Sequence, residues 1–377
     1  MLEHRIEIIK RIELLRGRPL ISYVTSIRPN MSASMAGDAI TPIIEQIEQI
    51  PSDEDKVDLV IISNGGDPIT SLRIVNLLRE RFKKVSVLVP YVAYSAATVL
   101  ALGADEILMH PYSNLGPVDP QLTVTRNNEN GIRENLSFSS EDLRNFIEFV
   151  KSDVGISDQE HLVQVIHPLI KEVGALSIGS AKRSQQLSLT LSEKMLSYHV
   201  KDSNKAKTIA QALNSSYYNH GYAVGRTEAK RIGLPVINPD PELEKLMWEL
   251  WKDYSDEMKC DLPFEPVREI LNDEEAKKKV MEVPIVNLPG NTPPDAAQAI
   301  IVQIAKNTPV STRKALATKS MVAAIESSRL AKAVYCETDL LYWRNPDMSL
   351  GINCTQSDSG WVINESVQKD EPTDKFK

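Results

Sequence analysis

Histidine and cysteine are scarce in this chain, six and three residues out of 377. The cysteines, Cys260, Cys336 and Cys354, are odd in number and far apart, so they make neither a metal-spaced pair nor a disulfide framework. That usage fits a reducing cytosol. No His-x-x-x-His pair and no Walker loop is present, and no dinucleotide-binding glycine fingerprint follows the first strand. Neither a metal nor a cofactor is therefore expected. No apolar run approaches the ~20 residues that a membrane helix needs. A long basic block is missing too: 43 Lys and Arg stand against 51 Asp and Glu, a net charge of −8, which argues against a nucleic-acid partner. Lys277, Lys278 and Lys279 follow Asp273, Glu274 and Glu275 and read as a solvated helix face. The first residues, Met1 to Arg11, mix charges among apolar groups and read as an amphipathic helix rather than a signal peptide. A cytoplasmic protein with no membrane span is expected.

What is present is ordinary globular composition, 42% hydrophobic and 25% charged, arranged in alternating strand and helix signals. Ile6, Ile9, Ile12 and Leu15 repeat at helical spacing, and Leu20–Ile27 follows as a strand. Ile40, Ile43, Ile44, Ile47 and Ile50 stripe a second helix. Val57–Ile62 is a β-branched run without alternation, the mark of a strand covered on both faces. Helix 68–82, strand Val85–Val89, helix 95–102 and strand Glu106–Met109 continue the pattern. Three strand–helix alternations predict stacked βαβ units around a parallel sheet.

After Met109 a loop, His110–Pro120, leads to a strand candidate, Gln121–Thr125. The polar stretch Arg126–Asn135 reads as a loop. Ser139 or Ser140 caps a helix to Val150. Helical patterns follow over Glu160–Lys171, Ile178–Leu196 and Ala206–Leu213, then a short helix ending at Gly233. The expected organisation is one domain over 1–237, opened by the helix of residues 1–17. A linking helix with Leu246, Trp248, Leu250 and Trp251 covers 238–259. A smaller α+β accessory region covers 260–367, with Leu340–Trp343 and Gly360–Ile363 as its clearest strands. Residues 368–377 are expected to be a disordered tail.

Two strand ends carry chemistry. Ser95 stands between Tyr94 and Ala96, where a strand hands over to a helix. A tight turn there lifts the hydroxyl, and the helix N-terminus supplies unpaired amides and positive potential. Thirty positions upstream, Asn64-Gly65-Gly66-Asp67 closes another apolar run, and glycine there lets the backbone approach a substrate closely. A developing oxyanion needs two such donors fixed in advance, each worth ~3 kcal/mol of barrier. The N–H groups of Gly66 and Ala96 are the expected pair, and Ser95 the nucleophile.

Ile61-Ile62-Ser63-Asn64-Gly65-Gly66, the thirty-residue gap and Ala93-Tyr94-Ser95-Ala96-Ala97-Thr98 together resemble the ClpP/crotonase superfamily. Ala104–Met109 and Leu115–Pro120 look like the signal peptide peptidase A and NfeD-type serine proteases. The pattern near His220-Gly221-Tyr222 and Glu228–Leu234 is similar to the serine dehydrogenase proteinases. The resemblance covers residues 18–236 and implies an α/β, ClpP/crotonase-like fold, with nothing comparable over 260–377. It implies an ATP-independent serine endopeptidase acting on peptide or unfolded protein, assembled as a homo-oligomer, trimer or hexamer. ClpP-type enzymes take a histidine from the segment matching Gly116–Pro120, which has none here. His110 lies earlier and His220 reads as structural. The lysine-using branches imply Lys182 as base, with Lys151 and Lys171 as alternatives and a neighbouring subunit as another source. Asp119, between two prolines, reads as a loop-fixing residue. Two other readings share the fold: a crotonase-like acyl-CoA enzyme, whose oxyanion hole would hold an enolate, and a catalytically inactive oligomeric scaffold.

Overall fold

The computed structural model describes residues 2–127, 131–215, 217, 221–281, 288, 290–307, 314–345 and 349–364. The expected tail 368–377 and His220 lie outside these residues. Elements run in the order α1 (Leu2–Arg16), β1 (Leu20–Thr25), α2 (Ile40–Glu48), β2 (Lys56–Ile62), α3 (Pro68–Arg81), β3 (Lys84–Val89), β4 (Val92–Ala93), α4 (Ala96–Leu102), β5 (Glu106–Met109) and β6 (Asn114–Leu115). Then come β7 (Gln121–Asn127), β8 (Arg133–Ser139), α5 (Ser140–Glu148), α6 (Gln159–Val173), α7 (Ala175–Leu196), α8 (Ser203–Ser215), β9 (Val224–Gly225), α9 (Arg226–Arg231) and β10 (Val236–Ile237). The C-terminal part adds α10 (Pro241–Met258), α11 (Pro266–Asn272), α12 (Glu274–Met281), α13 (Pro294–Asn307), β11 (Lys314–Glu326), β12 (Ala331–Arg344) and β13 (Leu350–Ile363).

The main sheet has the order β10-β5-β3-β2-β1-β11-β12-β13. From β10 to β1 every pairing is parallel, and from β1 outward every pairing is antiparallel. The α/β class and the stacked βαβ units stand as expected. β2 shows why its sequence carries no alternation. Leu59 and Ile61 enter one core with Ile43, Val75 and Leu78, whereas Val60 and Ile62 enter another with Ile9, Leu246 and Leu250. Successive strand residues face opposite sides, and here both sides are covered.

Some expectations are corrected. Arg126–Asn135 is not all loop, because β8 starts at Arg133 and pairs with β7 in a separate hairpin. The hairpin is cross-linked by hydroxyl and amide side chains, Thr123 to Ser137 at 2.8 Å and Thr125 to Asn135 at 2.8 Å, so its strands look polar. Beyond residue 260 the strands are 13 to 14 residues long, not short runs. They continue the sheet of the N-terminal part through the pairing of β11 with β1.

A buried ion cluster joins those parts. Arg5 of α1, fully buried, donates Nε to Glu326 Oε2 at 2.8 Å and a second N–H to Oε1 at 2.9 Å. It also donates to Asp253 at 2.7 Å and to Glu257, and its guanidinium lies 4.6 Å from the Tyr254 ring centroid. Burial works against the Arg5 charge, but the paired Glu326 raises its pKa above the ordinary arginine range. Tyr254 donates its hydroxyl to Glu326 at 2.7 Å. Helix α1, helix α10 and strand β11 thus share one satisfied polar centre inside apolar surroundings. Among the described residues no single helix is long and apolar enough to cross a membrane.

Candidate active site

Three strand ends deliver the site. Ser63 follows the last residue of β2; its N–H donates to Val92 O at 3.0 Å, and Tyr94 N–H donates back to Ser63 O at 2.9 Å. Thr25 donates to the Ser63 hydroxyl, which accepts the Gly65 N–H at 3.0 Å. The tip of β2 is therefore clamped beside the short strand β4, and the two loops meet. A methyl added to Gly65 would fall 2.8 Å from Ser95 Cβ and 3.0 Å from Ala96 N. Only glycine allows that contact, and Gly65 also has φ +101°.

Ser95 caps α4 with φ 50° and ψ −117°. A non-glycine residue at positive φ is strained, and such strain persists where the surroundings over-determine it. Here they do. Ala97 N–H donates to Tyr94 O at 2.9 Å and Val99 N–H to Ser95 O at 3.1 Å. Thr98 Oγ1 lies 2.6 Å from Ala93 O and 2.9 Å from Gly116 O, and accepts the Gly116 N–H at 3.1 Å. Ser71 donates to Ala96 O at 2.7 Å. Among the described residues the Ser95 hydroxyl has no hydrogen-bond partner, and the side chain is half-buried.

The orientation of both expected oxyanion donors follows from peptide planarity. The chain has no cis bond, so the C=O and N–H of one peptide plane point opposite ways. Gly65 O accepts from Met35 N–H at 2.8 Å, which turns the Gly66 N–H away from Met35. Ser95 O accepts from Val99, down the axis of α4, which turns the Ala96 N–H out of the helix end. Neither amide donates to another group among the described residues. Gly65, Gly66, Ser95 and Ala96 line one cavity of about 450 Å³ with Ser32, Val118, Gln121, Ser184, Leu187 and Ser188.

Lys182 is not brought there. It is exposed on α7, and its Nζ donates to Gln185 Oε1 at 3.4 Å, while Gln185 donates to Glu141. The face of α7 that lines the cavity carries Ser184, Leu187 and Ser188, and Lys182 sits about 200° around the helix from Ser184. Lys151 and Lys171 are exposed as well and line no part of the cavity. Among the described residues no histidine lines it. His110 is 5% exposed and stacks on Trp248 with centroids 5.1 Å apart. Burial pulls its pKa below the ordinary histidine value. Asp119 is buried in the loop after β6 and accepts from Gln121 at 3.0 Å.

Residues 4–132 match the ClpP-like SDH-type serine proteinases. The match holds the Gly65-Gly66 turn and Ser95, but not Lys182. Two uncharacterized proteins of Methanocaldococcus jannaschii are similar to this chain. MJ0137 is 26% identical over 210 residues, 56% of this chain and 63% of its own length. MJ1495 is 25% identical over 256 residues, 66% of this chain and 76% of its own. The chain thus spans somewhat less than two thirds of the first. A mutant of the 1510-N membrane-bound stomatin-specific protease aligns at 18% identity and a TM-score of 0.32, covering 65% of this chain and 89% of that one. That likeness is too loose to argue from. The sequence reading missed Ser32, Ala33 and Ser34 as cavity wall. The run of small residues after β1 was the available signal, since small side chains leave room for a ligand.

Proposed function

We propose that the chain is a serine endopeptidase in which the Ser95 hydroxyl attacks a peptide carbonyl. The Gly66 and Ala96 amides hold the oxyanion. The observation that carries this reading is the hydroxyl of a strained Ser95, unpartnered among the described residues, placed in one cavity with two backbone N–H groups that have no other acceptor among them. Attack breaks the carbonyl π bond and leaves the oxygen negative. Donors already in place stabilise that charge without reorganisation. The N-terminus of α4 adds positive potential at the same point.

The nucleophile's proton needs a base. Lys182 is the proposed base because α7 supplies one wall of the cavity. A lysine serves only where burial or nearby positive charge weakens its hold on the proton. In the single chain the amine is outside the cavity. The dyad therefore requires the first turns of α7 to rotate, or a lysine of a second copy to enter.

The substrate is an extended peptide. The edge after Gly66 that faces Met35 is already paired, with Asp67 N–H donating to Met35 O at 2.8 Å, so a peptide adds on the cavity side, between Gly66 and Gln121. Labelling by a fluorophosphonate probe tests the reading. Wild type is expected to label and Ser95→Ala not to. Equal labelling removes Ser95 from the mechanism.

A further inference from the structure

The cavity at Ser95 has a larger neighbour. Ser32, Ala33 and Ser34 line both it and a second hollow of about 690 Å³ on the far side of that tripeptide. Ser32 and Ser34 are exposed and small, so the ridge between the two hollows is low. The floor of the second hollow is apolar, with Met31 and Val322 each 6% exposed and Val334 and Cys336 each 7% exposed. Trp361 walls it, and its Nε1 donates to Asp38 Oδ2 at 2.7 Å. The rim carries Asp38 and Asp358, both exposed, and among the described residues no Lys, Arg or His lines it.

An apolar floor under uncompensated carboxylates suits a side chain with a hydrocarbon stem and a cationic head. The volume lies within the ~300–1,000 Å³ of sites for ligands of drug size, so it accepts a short stretch of chain. We infer that this hollow is a subsite of the same enzyme. It takes the lysine- or arginine-bearing part of an extended peptide whose scissile bond lies at Ser95. The inference rests on the serine-peptidase reading. Most of the hollow's wall beyond the ridge comes from β11, β12 and β13, outside the residues that match the proteinase family. The preference for a basic residue thus joins Asp38 of the matching part to Asp358, which the C-terminal strands add.

The test uses the full chain as Ser95→Ala, so that peptides bind without being cut. Fluorescein-labelled ten-residue peptides of alanine and serine carry one arginine or one glutamine, scanned along the sequence, and binding is read by fluorescence anisotropy. At one or two positions arginine is expected to bind roughly three- to tenfold tighter than glutamine, with the advantage shrinking in salt. In Asp38→Asn/Asp358→Asn the advantage disappears. In Asp358→Asn alone, which leaves the Trp361 bond intact, it falls part of the way. Equal binding of arginine and glutamine peptides at every position overturns the inference, as does an advantage that survives the double variant. Fluorophosphonate labelling separates this failure from the other. A wild type that does not label sinks the serine-peptidase reading instead.

Discussion

Replacing Gly65 by alanine tests the meeting of the two loops directly. The added methyl would stand 2.6 Å from Tyr94 O, 2.8 Å from Ser95 Cβ and 3.0 Å from Ala96 N. Carbon contacts settle near ~3.5–4.0 Å, so the elbow must retreat by about 1 Å. Its neighbours are backbone atoms and a β-carbon, with no flexible side-chain end to swing aside. At φ +101° the alanine also carries backbone strain of about 1–3 kcal/mol. A misplacement of that size costs a reaction about 100-fold. The assay is the second-order rate of fluorophosphonate labelling at Ser95, measured beside the urea midpoint. Gly37→Ala is the control, since nothing lies within 4 Å of its added methyl. Labelling is expected to fall about 100-fold in Gly65→Ala, with a lowered midpoint, and to stay at the wild-type rate in Gly37→Ala. If Gly65→Ala labels within about threefold of wild type, Gly65 and Ser95 do not press on each other as described, and the oxyanion argument goes with them.

Lys182→Ala should slow peptide hydrolysis at least 100-fold, about the general-base contribution, while Lys151→Ala and Lys171→Ala leave the rate unchanged; full activity in Lys182→Ala would move the base elsewhere. Arg5→Ala leaves Glu326 charged, buried and unpaired, and denaturant titration should show a loss of about 3–5 kcal/mol. His199 has both ring nitrogens buried without hydrogen-bond partners among the described residues, and burial lowers its pKa. Its folded form resists protonation, so its contribution to stability is present above the ordinary value of ~6.5 and is lost as pH falls toward the lower folded pKa. Thermal unfolding at pH 7.5 and 5.5 should show a smaller drop in His199→Leu than in wild type, and parallel drops would refute the assignment.

The strand-and-helix order up to Met109 was legible because parallel strands covered on both faces read as unbroken apolar runs, as Val57–Ile62 and Val85–Val89 do. The turns that carry Ser95 and Gly66 were legible because few residue patterns suit a strained turn and a close backbone approach. β8 was hidden because its cross-strand pairs are polar. β13 was read only at its end, Gly360–Ile363, because Thr355, Gln356, Ser357 and Asp358 before it face water. The pairing of β11 with β1 joins residues some 300 positions apart, as in Ser22 with Glu326, and no local periodicity records such a contact. The face of α7 was illegible because the lining residues Ser184 and Ser188 look as polar as the exposed ones, so spacing alone did not tell which side Lys182 would take.

The Arg5–Glu326 pair bears on how this chain is born. As the ribosome releases it, the first helix emerges with a guanidinium destined for the interior, and its carboxylate mate lies 321 positions behind. Until that glutamate arrives, β1 offers one bare edge to any passing strand, and an unmatched cation keeps the surrounding apolar groups from closing. Folding in order of synthesis therefore stalls short of completion, and a fragment stopping before the last three strands should need a chaperone to stay in solution.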